Sequence, residues 1–454
     1  MTGGRGAALE PGRALVVGLG VAGEAAARRL VERGWSVTVA EDRPGPLSRL
    51  RSASLERLEV TTHEAPDPGV LARLVGEVDL VVPSPPVPPV HPAITMALAR
   101  GVPVWSEFEL AARWSTLPMV AITGTNGKTT VTTLVERMLA ASGRRTVAAG
   151  NNDLPLVDAL AAGADLDVVV VEASSFRLAF TERFCPAVAT WLNQAEDHLD
   201  WHEDMEHYSS AKARVWAAQG PDQVAVANVE DPAVMAAAAT VRSRLVTFGL
   251  EHGDFHVEGD RLVAPDGSTL LEVGALWRAL PHDVANALAA AATALAAGAS
   301  LDAVRSTLTS FRGLPHRLSL VAEREGVSFY DDSKATDPHA ALTAVAGFAS
   351  VVLIAGGRNK GLDLSALQVV AARLRAVVAI GEAAGEVERV FTGQVPVAVA
   401  ASMDEAVAVA RRFAKAGDAV LLSPGCASFD WYSSYRERGD DFARAVTDLI
   451  GAPA

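Results

Sequence analysis

Cysteine is scarce in this chain. Cys185 and Cys426 are the only two among 454 residues, and they do not form the closely spaced cysteine or histidine clusters of structural zinc sites. A scaffold of disulfides is also excluded, because two cysteines can form only one bridge. We therefore expect two unreactive core thiols in a reducing compartment.

Positive charge and long apolar runs are also in short supply. The 40 Lys and Arg residues are outnumbered by 54 Asp and Glu, and the formal net charge of −14 argues against nucleic acid as a partner. The longest uncharged stretch, residues 284–301, is mostly alanine and includes Asn286 and Ser300. It predicts a buried helix and no membrane insertion. The N-terminus lacks the apolar segment of a signal peptide, so we expect a cytoplasmic protein.

Apolar residues, by contrast, are plentiful at 50% of the chain, so large cores are expected. The length predicts about three domains. Apolar strands alternate with helical patterns along the chain, which is typical of α/β domains. We place a Rossmann-like domain at residues 1–105 and a second one at 313–454. Between them, at 106–312, we expect a P-loop-type ATPase domain with a parallel sheet and a small antiparallel sheet.

The strongest local motif lies at the start of the central domain. The apolar run at residues 119–123 predicts a buried strand, and a helical pattern begins at Val131. Between them stand Gly124, Thr125, Asn126, Gly127, Lys128, Thr129 and Thr130. A glycine-rich turn that opens a helix binds phosphate through backbone N–H groups, a Lys and a hydroxyl that reaches Mg²⁺. The usual Walker spacing has a Gly where Ile122 stands, so this is a shortened variant that predicts binding of a nucleoside triphosphate.

Carboxylates and imidazoles follow the next strands. Glu172 ends an apolar strand, where a protein with a phosphate loop holds Mg²⁺. The alternative interpretation is that Glu172 is a solvated residue at the end of the strand and binds no metal. Asp197 and His198 lie in a polar loop, which fits a metal or general-base site or a loop with helix-capping residues. Lys212, taken in isolation, predicts only a surface lysine.

A second glycine motif lies near the N-terminus. Gly18, Gly20 and Gly23 follow a strand and open a helix, and the next strand ends at Glu41 and Asp42. This pattern alone is the dinucleotide fingerprint and favours an NAD-dependent oxidoreductase. The unit is too short for a whole dehydrogenase, however, and a separate phosphate loop follows it. We therefore expect a nucleotide-binding domain of another kind and keep the oxidoreductase as the alternative.

Seven blocks in order resemble the Mur ligases of peptidoglycan synthesis, from Gly18 to about Gly439. The blocks are residues 124–130, 172–176, 196–200, 211–214, 313–317, 332–336 and 423–430. The resemblance implies an enzyme that uses ATP and Mg²⁺ to make an amide bond through an acyl phosphate, and we expect it to be a monomer. It points to UDP-N-acetylmuramoyl-L-alanine and D-glutamate as the substrates. Two alternatives stay open. The same reaction could add L-glutamate or another amino acid, or the protein could be a non-catalytic regulatory ATPase or nucleotide sensor.

The resemblance also implies the residue roles. The catalytic residues would be Lys128, Glu172, His198 and Lys212, and the magnesium ligands Thr129, Glu172, His198 and a carbamylated Lys212. ATP would contact Gly124, Thr125, Asn126, Gly127, Lys128, Thr129, Thr130, Asn286, Arg317 and Asp332. The uridine nucleotide substrate would contact Glu41, Asp42, Ser84 and Asn151. The incoming amino acid would contact Lys334, Thr336, Lys360, Ser428 and Tyr435.

Several positions depart from the family pattern. Asn152 and Asp153 alter the turn that would face the diphosphate. Arg177 stands where a Gln is usual, Asp283 where an Asn is usual and Pro86 where a Gly is usual. None of these residues is among those expected to transfer the phosphoryl group.

Overall fold

The computed structural model describes residues 10–151, 154–359 and 361–451, and the chain divides into two compact units. The first unit takes the described residues up to Leu276 together with Val284–Ser310. The second takes Trp277–Asp283 and the described residues from Phe311 onwards. The three domain boundaries expected from the sequence stay a prediction.

The first unit opens with a parallel sheet. Its strands are β1 (Arg13–Val17), β2 (Ser36–Glu41), β3 (Thr61–Glu64) and β4 (Leu80–Pro83), in the order β3-β2-β1-β4. Its helices are α1 (Val21–Val31), α2 (Pro46–Glu56), α3 (Pro68–Gly76) and α4 (Pro92–Ala99). The last three begin with proline, which removes one of the N–H groups that have no acceptor in the first turn of a helix.

A larger parallel sheet follows in the same unit. Its strands are β5 (Met119–Thr123), β6 (Thr146–Gly150), β7 (Val168–Glu172), β8 (Val188–Trp191), β9 (Val224–Asn228) and β10 (Arg244–Phe248), in the order β10-β9-β8-β5-β7-β6. The helices here are α5 (Glu107–Trp114), α6 (Lys128–Ala141), α7 (Leu156–Ala161), α8 (Ser175–Leu178), α9 (Met205–Ala217) and α10 (Pro232–Ala238). The central strands β5, β7 and β8 are buried along their whole length, as expected for a parallel sheet covered on both faces.

A small antiparallel sheet lies in the same unit, as the sequence analysis predicts for the central domain. Its strands are β11 (His256–Glu258), β12 (Arg261–Val263) and β13 (Thr269–Glu272). The alanine-rich helix α11 (Pro281–Ala296) and helix α12 (Leu301–Ser310) follow. One apolar core joins the first sheet to the second, with Val16 and Leu30 in the same cluster as Phe108 and Val169.

The second unit is built on a mixed sheet. Its strands are β14 (Ser319–Arg324), β15 (Val327–Asp331), β16 (Val351–Gly356), β17 (Leu374–Ile380), β18 (Val397–Val399) and β19 (Ala419–Leu422), in the order β14-β15-β19-β16-β17-β18. Its helices are α13 (Pro338–Ala346), α14 (Ala384–Phe391), α15 (Met403–Phe413) and α16 (Tyr435–Gly451). Leu353 and Val352, neighbours in β16, belong to separate apolar clusters, because successive side chains of a strand point to opposite faces.

Strand β14 is an element that the sequence analysis missed. It pairs antiparallel with β15 and is only partly buried, so its apolar pattern is weak. The signal that could have revealed it is the two-residue turn between the strands. Glu325 and Gly326 have φ angles of 54° and 75°, which is the left-handed pair that a tight hairpin requires.

The α/β class, the parallel sheets and the small antiparallel sheet are confirmed. Within the described ranges, no helix is both long enough and apolar enough to span a bilayer.

Cys426 is buried and Cys185 is partly buried, and both thiols are free. Burial raises the pKa of Cys426 to about 12, which keeps that thiol protonated and poorly nucleophilic.

The core of the second unit gives a first test. Leu353 is fully buried in β16, whereas Leu320 in β14 is 55% exposed. Because a cavity in a packed core costs far more than a change at the surface, Leu353→Ala should lower the free energy of unfolding by about 2–5 kcal/mol. Leu320→Ala is the matched control and should change it by about 0.5 kcal/mol or less. Urea unfolding of both variants measures the difference, and equal losses would contradict the buried position of Leu353.

Candidate active site

The phosphate loop lies between β5 and α6, as the sequence predicts. Gly124 and Gly127 have φ angles of 151° and 85°, which side chains larger than hydrogen rarely adopt. A Cβ atom on Gly127 would also lie 2.4 Å from Oδ1 of Asn286. The loop can therefore keep this shape only with glycine at both positions, and Asn286 lies beside it.

Asn193, in the loop that follows β8, forms hydrogen bonds that hold the phosphate loop in place. Its Oδ1 accepts hydrogen bonds from the backbone N–H groups of Thr125 and Asn126 at 3.1 and 2.9 Å. Its Nδ2 donates to the carbonyl oxygen of Asn126 at 3.2 Å. The signal that could have identified Asn193 was its position two residues after the end of β8, since β8 pairs with β5 and the two strands end at the same edge of the sheet.

Two lysines converge on a single backbone oxygen. Lys128 Nζ donates to the carbonyl oxygens of Gly124 and Thr125 at 2.8 and 2.7 Å. Lys212 Nζ, on α9, also donates to the Gly124 oxygen, at 3.1 Å, and lies 4.0 Å from the centre of the Tyr208 ring. Lys212 is only 1% exposed, so it is no surface lysine. Burial, with the nearby charge of Lys128, holds the pKa of Lys212 well below its usual range.

Glu172 is the last residue of β7, and Asn151 directly follows the neighbouring strand β6. Glu172 is buried, and its Oε1 accepts a hydrogen bond from Asn151 Nδ2 at 3.0 Å. Ile122 of β5 pairs with Glu172 in the sheet, so the carboxylate lies at the same edge as the phosphate loop. Asn152 and Asp153, the altered turn positions, lie outside the described residues.

His198 lies in the loop after β8 with a left-handed backbone, at a φ angle of 55°. Such a conformation is strained for a residue with a side chain and often marks a functional loop. Its Nε2 lies 3.2 Å from Oδ2 of Asp197, and burial raises the pKa of Asp197. Among the described residues, no three His, Cys, Asp or Glu side chains gather around a possible metal position.

The same polar loop contains a second imidazole, His202, which is buried. His202 Nε2 lies 2.9 Å from Ser175 Oγ, and its Nδ1 lies 3.4 Å from Nδ1 of His207. Burial, together with the neighbouring cations, lowers the pKa of His202 to about 3. A neutral imidazole therefore links the loop of His198 to the start of α8.

The glycine turn of the first sheet gathers the predicted nucleotide contacts. Glu41 accepts hydrogen bonds from the N–H groups of Leu19 and Arg43 at 2.6 and 2.9 Å. Asp42 Oδ2 lies 2.8 Å from Nε2 of His91. Ser84 is buried against the turn, since a Cβ on Gly20 would lie 3.1 Å from its Oγ.

The second unit carries the remaining predicted ATP contacts, Arg317 and Asp332, whereas Asn286 belongs to the first unit. Asp332 is buried at the end of β15, where Ser423 Oγ and the N–H of Leu318 donate to it at 2.8 and 3.1 Å. Burial raises the pKa of Asp332 to about 7.

The predicted amino-acid contacts lie in the same unit. Lys334 Nζ is 4.2 Å from the centre of the Tyr435 ring, Ser428 is buried and Thr336 is partly buried. Lys360 lies outside the described residues. Arg438 was missed from the sequence, and it donates to Ser333 Oγ, to the Ser333 carbonyl and to the Cys426 carbonyl. The hydrogen bonds of its buried guanidinium connect α16 to the loops after β15 and β19.

Three family profiles match the chain. The Mur ligase MurD-like N-terminal domain matches residues 12–106, the Mur ligase middle domain matches 122–294 and the Mur ligase glutamate ligase domain matches 316–426.

Curated relatives are similar over almost the whole chain. The UDP-N-acetylmuramoylalanine–D-glutamate ligase of Frankia casuarinae is 44% identical over 447 residues, which cover 95% of this chain and 93% of the relative. The protein with the same name from Desulfosudis oleivorans is 42% identical over 453 residues, which cover 96% of both.

Solved structures share the fold at lower identity. UDP-N-acetylmuramate-alanine ligase MurC of Thermotoga maritima has a TM-score of 0.59 at 18% identity, over 96% of this chain and 99% of that one. A pseudomurein peptide ligase type C from Methanothermus fervidus has a TM-score of 0.60 at 17% identity, with the same coverage. Together with the order of the motif blocks, these matches establish that the chain belongs to the Mur ligase family.

Proposed function

We propose that this protein is an ATP-dependent ligase that joins D-glutamate to UDP-N-acetylmuramoyl-L-alanine, with release of ADP and phosphate. The observation that carries the proposal is the buried Lys212, whose Nζ lies 3.1 Å from the Gly124 carbonyl although the two residues are 88 positions apart. A phosphate loop alone needs no such partner. The names of the Frankia and Desulfosudis relatives support the choice of D-glutamate.

The chemistry explains why positive charge is concentrated at the loop. A carboxylate is a poor acyl donor, because its leaving group would be oxide. Transfer of the γ-phosphoryl group of ATP to the substrate carboxylate gives an acyl phosphate. The amine of glutamate then attacks the carbonyl carbon, and phosphate leaves from the tetrahedral intermediate. Lys128 and the N–H groups at the start of α6 position the phosphates and offset their charge.

The side chains near the loop fit Mg²⁺. Magnesium prefers oxygen ligands, and Thr129 and Glu172 offer a hydroxyl and a carboxylate at the same edge of the sheet. When bound, Mg²⁺ supplies charge neutralisation at the transferring phosphoryl group. In this proposal Thr129 and Glu172 hold the ion, and His198 contributes to a second position.

Lys212 completes the ligand set once it is modified. Its lowered pKa favours the neutral amine, which is the form that attacks carbon dioxide. The new N–C bond gives a carbamate, and the amine releases one proton. An ammonium cannot bind a metal ion, whereas the carbamate supplies two anionic oxygen atoms. We therefore assign the carbamate of Lys212 as a magnesium ligand.

The two substrates occupy separate parts of the chain in this proposal. Glu41, Asp42 and Ser84 border the glycine turn of the first sheet and bind the uridine nucleotide, while Asn151 contacts the diphosphate. Lys334, Thr336, Lys360, Ser428 and Tyr435 form the glutamate pocket, where cations and hydroxyl groups suit two carboxylates. Arg317 and Asp332, together with Asn286, contact ATP.

The alternatives have less support. Family membership leaves the NAD-dependent oxidoreductase without support, and in the structure Glu41 holds the Leu19 N–H at the glycine turn. A regulatory ATPase would give the buried Lys212 no role. We propose that the enzyme works as a monomer in the cytoplasm, where ATP and nucleotide-linked precursors are available.

Substrate identity is tested by phosphate release. With ATP, Mg²⁺ and UDP-N-acetylmuramoyl-L-alanine, we expect release with D-glutamate and not with L-glutamate, L-lysine or meso-diaminopimelate. Mass spectrometry should show a product heavier by one glutamyl residue. Phosphate release with a different amino acid would change the proposed amino-acid substrate and leave the proposed mechanism unchanged. Release without any amino acid would favour the regulatory ATPase.

The carbamate is tested by Lys212→Ala. Loss of an anionic ligand beside the transferring group should lower kcat by about 100-fold or more. Short carboxylic acids should partly restore the rate, because their carboxylate can take the place of the carbamate. Lys415→Ala, at an exposed position, is the control and should keep its rate with or without the acids. Full activity of Lys212→Ala would contradict the assignment.

The raised pKa of Asp332 predicts a pH effect on stability. The folded chain binds this proton more tightly than the unfolded chain does, so the free energy of unfolding falls as pH rises from the ordinary value of 3.8 through about 7. Asp332→Asn lacks this titration. Its free energy of unfolding relative to wild type should therefore be higher at about pH 8 than at about pH 5. Urea unfolding at both pH values measures this, and a difference independent of pH would contradict the raised pKa.

A further inference from the structure

Four side chains form a continuous hydrogen-bonded chain from α5 to the end of β7. Glu107 Oε1 accepts from Arg177 Nε at 3.0 Å, and Arg177 Nη1 donates to Asn151 Oδ1 at 2.9 Å. Asn151 Nδ2 in turn donates to Glu172 Oε1 at 3.0 Å. The proposed function gives roles to Asn151 and Glu172 and none to Arg177.

The chemistry of the two end groups fixes the orientation of the middle amide. A guanidinium can only donate hydrogen bonds, and a carboxylate can only accept them. Asn151 must therefore turn Oδ1 to Arg177 and Nδ2 to Glu172, because the flipped amide would lose both hydrogen bonds. A glutamine at position 177 could donate or accept, and it would not impose this orientation.

Arg177 is itself held in place. The side chain is 10% exposed and that of Glu107 is 2% exposed, so each charge is buried with an opposite partner. Glu107 Oε2 also accepts from the N–H of Val157 at 3.3 Å, and the Arg177 guanidinium lies 5.7 Å from the centre of the Phe108 ring. The donor that faces Asn151 is therefore preorganised by its surroundings.

We propose that Arg177 is a positioning residue for Glu172, acting through Asn151. The hydrogen bond from Asn151 occupies Oε1 of Glu172, and no hydrogen bond to Oε2 is present among the described residues. Oε2 is then the oxygen offered to the divalent cation of the proposed function. Partners that orient a metal ligand commonly change metal affinity by about 10- to 100-fold.

The inference rests on the proposed function, so its test measures ion binding as well as turnover. Mn²⁺ replaces Mg²⁺ as the probe because it accepts the same oxygen ligands and is visible by electron paramagnetic resonance. Arg177→Met, titrated with Mn²⁺ in the presence of ADP, should bind the ion about 10-fold more weakly than wild type. Arg177→Lys keeps the positive charge beside Glu107 and should restore part of the loss.

A second variant guards against simple misfolding. Arg177→Met leaves Glu107 buried without its partner, whereas the double variant Glu107→Gln with Arg177→Met removes both charges together. We expect the double variant to fold and to show the same weak Mn²⁺ binding, because the donor to Asn151 is still missing. A folded double variant with wild-type Mn²⁺ affinity would overturn the inference.

The matched control is Arg113→Met. Arg113 forms a comparable buried pair with Glu109 at 2.7 Å but is not part of the chain that leads to Glu172. It should lower the melting temperature and leave Mn²⁺ affinity unchanged. Equal weakening in this control would show that Arg177 is only structural. Wild-type protein that binds no Mn²⁺ with ADP would overturn the proposed function as well, which separates the two failures.

Discussion

The carbonyl oxygen of Gly124 is the point on which the proposed site depends. Lys128 and Lys212 both donate to it, and two full positive charges so close together would repel each other. Burial relieves this repulsion by lowering the pKa of Lys212, so that one partner favours the neutral amine. Gly124 and Gly127 have positive φ angles, which glycine adopts without strain, so the loop that carries this carbonyl depends on both residues.

The surrounding side chains act mainly by restricting their neighbours. Asn193 fixes two N–H groups of the phosphate loop, and His202 connects the His198 loop to α8 through Ser175. Arg177 restricts the amide of Asn151 in the same way. Phosphoryl transfer requires accurate positioning more than reactive side chains, so a site with several such supports suits the proposed reaction.

The two compact units contribute different chemistry. The first unit contains the phosphate loop, Glu172 and the buried lysine. The second contains Asp332, Lys334 and the rest of the proposed glutamate pocket, and the buried guanidinium of Arg438 supports it by joining α16 to two loops. Each unit has its own apolar core, so each set of residues is supported by its own packed scaffold.

The sequence by itself determined the α/β class, the phosphate loop and the order of the motif blocks. These features are local, because the pattern that predicts a glycine turn or an apolar strand is formed by consecutive residues. Strand β14 was missed because an exposed edge strand has a weak apolar pattern. Lys212, Asn193 and Arg177 owe their surroundings to residues far away in the chain. Only the tertiary structure could bring them to the phosphate loop and to Glu172, because parallel strands place their carboxyl ends side by side whatever their separation in sequence.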